Sequence, residues 1–298
     1  MPTIQQTLMT LAAISYAPDA DIRAFLASPP AGSPATAWSL AWGPVETTIT
    51  QGNLVFVAQA AAAKQCAIVI RGTYPHFTPA LFEDLFQDLT VGILLPWSYP
   101  ASPDAKIAGG TMDGLEDIKG LRDAASGLSL LDLMQQGALA AADIYVSGHS
   151  LGGCLATVLA PWLGYALGAA RTILPYTFAA PTAGNQAFAG MFTSMFPDAL
   201  RLYNTLDVIP MAWANLAGVK SLYAAPGPGC PLALKAGIDV LNVSLAPLKY
   251  QQPNGGGNPL RGVATSSQNF IAEILSQHDS NNYLSLLGAP TVPSHMPV

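Results

Sequence analysis

Hydrophobic positions change period several times along this chain. Near its start Ile4, Leu8, Leu11 and Ile14 recur three or four residues apart, the repeat of one helical face. Gln5 and Gln6 interrupt that run and no Lys or Arg precedes it, so it reads as an amphipathic helix and not as a secretory leader. Two β-rich runs follow, 53–58 and 66–70, and the second is apolar throughout, like a strand covered on both faces. Further strands are predicted at 144–147, 173–178 and 199–204, with helical stretches around 114–136, 151–169 and 186–195. This alternation predicts an α/β protein with a mainly parallel central sheet flanked by helices. Two stretches break the pattern. Residues 28–44 are rich in Pro, Ala, Gly and Trp, and 226–259 carries clusters such as Gly255, Gly256 and Gly257. Both read as loops on one domain spanning 1–298, the second inside a loop-rich insertion at about 213–262.

Residues 151–170 contain no charge and are long enough to cross a bilayer. Gly152, Gly153, Gly164, Gly168 and Pro161 interrupt the run, and the motif in front of it calls for a buried helix, so no transmembrane span is expected. Hydrophobic residues make up 51% of the chain and charged residues 10%, with a mean hydropathy of +0.35. That balance excludes a disordered chain and suits an apolar substrate or partner. Twelve Lys and Arg stand against 18 Asp and Glu, without a basic run, so nucleic acid is not an expected partner. Cys66, Cys154 and Cys230 lack Cys-x-x-Cys spacing, and they are expected as free thiols with no metal and no cofactor. With no leader visible, the chain is expected to be cytoplasmic or the mature form of a secreted protein.

Chemistry concentrates at Gly148-His149-Ser150-Leu151-Gly152-Gly153, behind the predicted strand at 144–147 and ahead of the apolar helix. A serine that attacks a carbonyl has to project from a sharp strand-to-helix turn, where flanking glycines leave room for close backbone. The following helix aims its unpaired N–H groups at the reacting centre, where they favour developing negative charge. Such a serine needs a histidine to take its proton and a carboxylate to orient that histidine. In this fold the chain order is Ser, acid, His. After Ser150 only His278 and His295 remain, and His295 lies in a Pro-rich tail, so His278 is the candidate base. His149 adjoins the serine and is assigned a structural role. Asp207 follows the predicted strand at 199–204 and opens Asp207-Val208-Ile209-Pro210, making it the candidate acid. Asp198 precedes that strand, Asp279 is too near His278 in sequence to reach its ring, and Asp239 remains the rival.

Beyond the elbow, Ile70-Arg71-Gly72-Thr73, the block 181–188 and Asn204-Thr205-Leu206-Asp207-Val208-Ile209-Pro210 together are far more specific than the G-x-S-x-G pattern. With these blocks the chain resembles the class 3 lipases, which include filamentous fungal triacylglycerol lipases, over about Val69 to Leu286. The resemblance implies an α/β-hydrolase fold and cleavage of carboxylic esters of lipids through an acyl-serine. Thr73 would supply an oxyanion-hole donor and Leu151 a second backbone N–H. It also implies a lid within 74–100, where Leu81, Phe82, Leu85, Phe86 and Leu89 line one side of a predicted helix, and transient contact with lipid–water interfaces. The chain departs from the family at Ala108-Gly109-Gly110-Thr111, where a His-x-Gly-Phe block is usual, and in lacking the fungal disulfide cysteines. Feruloyl or phospholipid ester specificity stays open, as does a non-catalytic protein of the same fold that binds an apolar ligand.

Overall fold

The computed structural model describes residues 2–47, 52–72, 90–99, 102–223, 227–265, 267 and 269–293. Its central sheet contains β1 (Ser39–Glu46), β2 (Leu54–Ala60), β3 (Gln65–Ile70), β6 (Asp143–His149), β7 (Ile173–Phe178), β8 (Leu200–Asn204) and β9 (Asn258–Leu260), in that spatial order. β1, β2 and β3 pair antiparallel, and every pairing from β3 to β9 is parallel. A separate antiparallel pair joins β4 (Leu94–Pro96) and β5 (Lys106–Ala108). Among the described residues the helices in chain order are α1 (Ile4–Ile14), α2 (Asp19–Ala27), α3 (Gly109–Gly120), α4 (Leu130–Met134), α5 (Leu151–Leu167), α6 (Gln186–Met195), α7 (Leu216–Val219), α8 (Leu232–Leu245), α9 (Phe270–His278) and α10 (Ser280–Leu286).

Strand side chains alternate across the sheet, and the two faces bury different layers. Val55, Val57, Cys66, Ile68, Ile70, Ile144 and Val146 face a core shared with Leu115 and Ile118 of α3, Leu155 and Leu159 of α5, and Phe188 and Phe192 of α6. Leu54, Phe56, Ala58, Ala67, Val69 and Tyr145 face the opposite core, filled by Leu8 and Leu11 of α1, Ile22 and Leu26 of α2, and Tyr283 and Leu284 of α10. β3 therefore needs apolar residues on both sides, which explains its unbroken run. α5 is buried from Leu151 through Leu163. Among the described residues no helix is long and apolar enough to cross a membrane.

Two stretches expected as loops hold regular elements. β1 takes up the last third of 28–44 and runs on to Glu46 despite Gly43 and Pro44, because it is an edge strand and its register slips around those residues, where a missing donor is tolerated. The Pro- and Gly-rich stretch 226–259 contains α8, a helix of 14 residues. The predicted helix over 114–136 is instead α3 and α4, separated by a turn in which Asp123 Oδ2 accepts from the Ser126 N–H and hydroxyl.

Candidate active site

Ser150 sits where β6 ends and α5 begins. Its backbone is held at φ 59° and ψ −130°, a left-handed conformation disfavoured for a residue with a Cβ. Close packing holds it there: a Cβ on Gly152 would collide with the Ile70 carbonyl, and one on Gly153 would lie 2.9 Å from Ala180 Cβ. The Ser150 N–H donates to the Phe178 carbonyl at 3.0 Å, and the Ser150 carbonyl accepts from Gly153 and Cys154 in the first turn of α5. Leu151 and Gly152, the first residues of α5, present backbone N–H groups with no partner inside the helix.

His278 ends α9 and Asp207 follows β8, and both side chains are buried. His278 Nδ1 lies 2.8 Å from Asp207 Oδ2, and Nε2 lies 2.8 Å from Ser150 Oγ. An ionised carboxylate only accepts, so the ring proton belongs on Nδ1, leaving Nε2 free to accept from the serine hydroxyl. Asp207 is itself held by donors: Tyr283 donates to Oδ2 at 2.7 Å and the Ile209 N–H to Oδ1 at 2.9 Å. Tyr283 in turn accepts from the Asn204 N–H at 2.9 Å. Asn204 Nδ2 donates to both the carbonyl and Oε1 of Gln277, tying the end of β8 to the residue before His278. Burial, then the Asp207 charge, raise the Tyr283 phenol well above the ordinary tyrosine value, so it stays a donor. The buried Arg201 guanidinium donates to the Pro210, Gly256 and Ala180 carbonyls, and burial pulls its pKa down to about 10, leaving it cationic at neutral pH.

Of the other candidates, His149 lies beside His278. Its ring centroid lies 4.7 Å from that of His278, and its Nδ1 lies 3.0 Å from the Tyr16 hydroxyl. Burial, then the neighbouring His278, push His149 well below the ordinary histidine value and keep its ring neutral. Asp239 lies on α8 with its side chain half exposed and ion-paired to Lys220, while Asp279 caps α10 through the Asn281 and Asn282 N–H groups. Asp198 is exposed ahead of β8. Thr73, His76, His295 and most of the expected lid lie outside the described residues. Gly72, just before Thr73, packs on the elbow: a Cβ there would sit 2.7 Å from the Tyr16 hydroxyl and 3.2 Å from Ser150 Cβ. Arg71 anchors the same turn by pairing with Glu46 and donating to the Gly52 carbonyl. Of the lid segment only 90–99 is described, and there Val91 and Trp97 are packed into the core. Cys66, Cys154 and Cys230 are unpaired and buried, and burial pushes the Cys66 and Cys154 thiols up to about 12.

A mostly parallel sheet with an elbow serine on its central strand, and an acid and a histidine supplied after later elements, defines an α/β-hydrolase. The family model described as lipase (class 3) matches residues 68–216, and the chain belongs to that family. The chain is similar to M37 lipase, with 26% identity, a TM-score of 0.85, and 97% of this chain and 94% of that one covered. The Rhizomucor miehei lipase in its propeptide complex shares the fold at 23% identity and a TM-score of 0.53, over 70% of this chain and 62% of that one. Among curated proteins, Lipase ZK262.3 of Caenorhabditis elegans is 37% identical over 89 residues, 29% of this chain and 24% of its own length. The match thus spans about a quarter of that relative.

Proposed function

We propose that this class 3 lipase hydrolyses carboxylic esters of lipids, acylglycerols above all, with Ser150 as nucleophile, His278 as general base and then acid, and Asp207 as the group that orients and charge-balances the histidine. The observation that carries this reading is the unbroken path from Ser150 Oγ through His278 to Asp207, at 2.8 Å in each step. Ser150 Oγ attacks the ester carbonyl while Nε2 takes its proton. Asp207 stabilises the imidazolium that results. Thr73 and the Leu151 N–H are assigned to the oxyanion on the family resemblance, and the position of Leu151 at the positive end of α5 supports its part. Collapse of the tetrahedral species expels the alcohol, protonated by His278, and leaves an acyl-Ser150. Water activated by the same histidine then releases the acid and restores the serine.

Preference for a lipid ester rests on the family and on the apolar composition of the chain. The test is a series of p-nitrophenyl and glyceryl esters of increasing acyl length, assayed with wild type and Ser150→Ala. Turnover that rises with acyl length and vanishes in the variant supports the proposal. Turnover confined to acetyl esters, or to feruloyl esters, would refute the lipid assignment while leaving the serine chemistry in place.

A further inference from the structure

α8 is apolar on both sides. Leu234, Ile238, Leu241 and Leu245 form its inward stripe, with Ile238 and Leu245 buried. On the other side Leu232, Ala236, Val240 and Val243 recur at spacings of four, four and three, which places them on one outward stripe. Leu232 is 84% exposed, Val240 66% and Val243 74%. An ordinary surface helix carries polar groups there, as α2 does with Asp19, Asp21 and Arg23. A contiguous apolar stripe exposed to water marks a surface that something else covers.

Two observations identify the occupant. Residues 213–262 hold four cations, Lys220, Lys235, Lys249 and Arg261, and one acid, Asp239, a net charge of +3 in a chain of net charge −6. The rest of the chain is therefore at −9, and positive charge gathers in the segment that carries the stripe. That balance already includes the pair between Lys220 and Asp239, the acid on this helix. Finally, α8 is attached beside the acid loop of the active site: it packs on α7, which follows Asp207 to Met211, and the Tyr223 hydroxyl donates to the Leu206 carbonyl. An apolar stripe carried by a segment of net positive charge fits the surface of an anionic lipid layer.

We infer that the outward stripe of α8, Leu232, Val240 and Val243, is a docking surface for negatively charged lipid–water interfaces that delivers the active-site end of the molecule to its substrate. This rests on the lipid-ester reading above, and its test is separable from it. The probe is vesicles of dialkyl-ether phosphatidylcholine, alone or mixed in equal parts with dialkyl-ether phosphatidylglycerol, which offer no acyl ester to cleave. Co-sedimentation of the wild type should favour the mixed vesicles and weaken with salt. Val240→Glu combined with Val243→Glu should lower affinity at least about tenfold, and the Val240→Ser, Val243→Ser pair should do so to a smaller degree. Both variants should keep their melting temperature and their rate on soluble p-nitrophenyl acetate. Equal vesicle binding by wild type and variants, or no binding by wild type, overturns the inference. So would a wild-type dimer in sedimentation analysis that the substitutions convert to monomer without any vesicle effect, because the stripe would then face a second copy. Loss of p-nitrophenyl acetate hydrolysis in Ser150→Ala bears on the serine chemistry alone, whatever the vesicles do.

Discussion

The active-site array and the outer face of α8 invert the usual distribution of polar and apolar groups in opposite directions. Around Asp207, charged and polar side chains are buried: His278, Asn204, Gln277, Arg201 and Tyr283 all lie away from water. On α8, leucine and valine face it. In the array the desolvation cost is met inside the chain, since Asp207 accepts from His278, Tyr283 and Ile209, and Asn204 both donates and accepts. Among the described residues the stripe has no such internal compensation. Polar burial here is satisfied by bonds within the chain, whereas apolar exposure leaves a face open to a partner.

The largest effects should come from breaking the array. Ser150→Ala or His278→Ala should remove nearly all ester turnover, and Asp207→Asn should cost about 10⁴-fold in kcat while the protein stays folded, because the histidine loses its tautomer and its counter-charge. Kinetics on a soluble ester, alongside a melting curve, check all three. If Asp239→Asn lost activity while Asp207→Asn kept it, the acid would be misassigned.

Tyr283→Phe comes next. It removes a charge-assisted donor from Asp207 and leaves the buried Asn204 N–H without its acceptor, so stability should fall by about 1–3 kcal/mol and kcat should fall with it. By contrast, Val240→Ser should change stability by no more than about 0.5 kcal/mol, since its side chain is mostly in water. Denaturant titration of the two variants sharpens the comparison. Equal losses would mean that the stripe is packed against the chain after all.

A smaller effect concerns pH. The folded chain holds His149 neutral well below its ordinary value of 6.5, so below about pH 6.5 the unfolded chain takes up a proton that the folded chain refuses. Stability from this group is therefore complete above pH 6.5 and declines as pH falls. The midpoint of urea unfolding should drop from pH 7 to pH 5 in the wild type and drop less in His149→Gln. Least affected by native conditions are the thiols. Cys66 and Cys154 should resist alkylation in the folded protein, and three thiols should react once it is denatured without reductant.

How much of this was legible in the sequence depends on the range of the interaction. The strands 173–178 and 66–70 and the helix 186–195 announce themselves because local period and burial agree. Ser150 was legible for the same reason, its turn chemistry being written in adjacent residues. That Asp207 and His278 would meet Ser150 followed from chain order and from the strand end before Asp207. Tyr283 and Tyr16 were not found, since they meet Asp207 and His149 across 76 and 133 residues and no spacing rule connects them. α8 was hidden by its own composition: with apolar residues on both faces it has little amphipathic contrast, and Pro231 and the Gly255–Gly257 cluster frame it like a loop. β1 was missed because Gly43 and Pro44 disfavour a central strand, and only the sheet order reveals that it is an edge.

The most direct measurement of the chemistry is intact-protein and peptide mass spectrometry after reaction with an alkyl fluorophosphonate. The array predicts one adduct per chain, on Ser150, formed rapidly by the wild type, slowed by orders of magnitude in His278→Ala, and absent from Ser150→Ala. An adduct on another residue, or a Ser150→Ala protein that still hydrolyses ester, would contradict it.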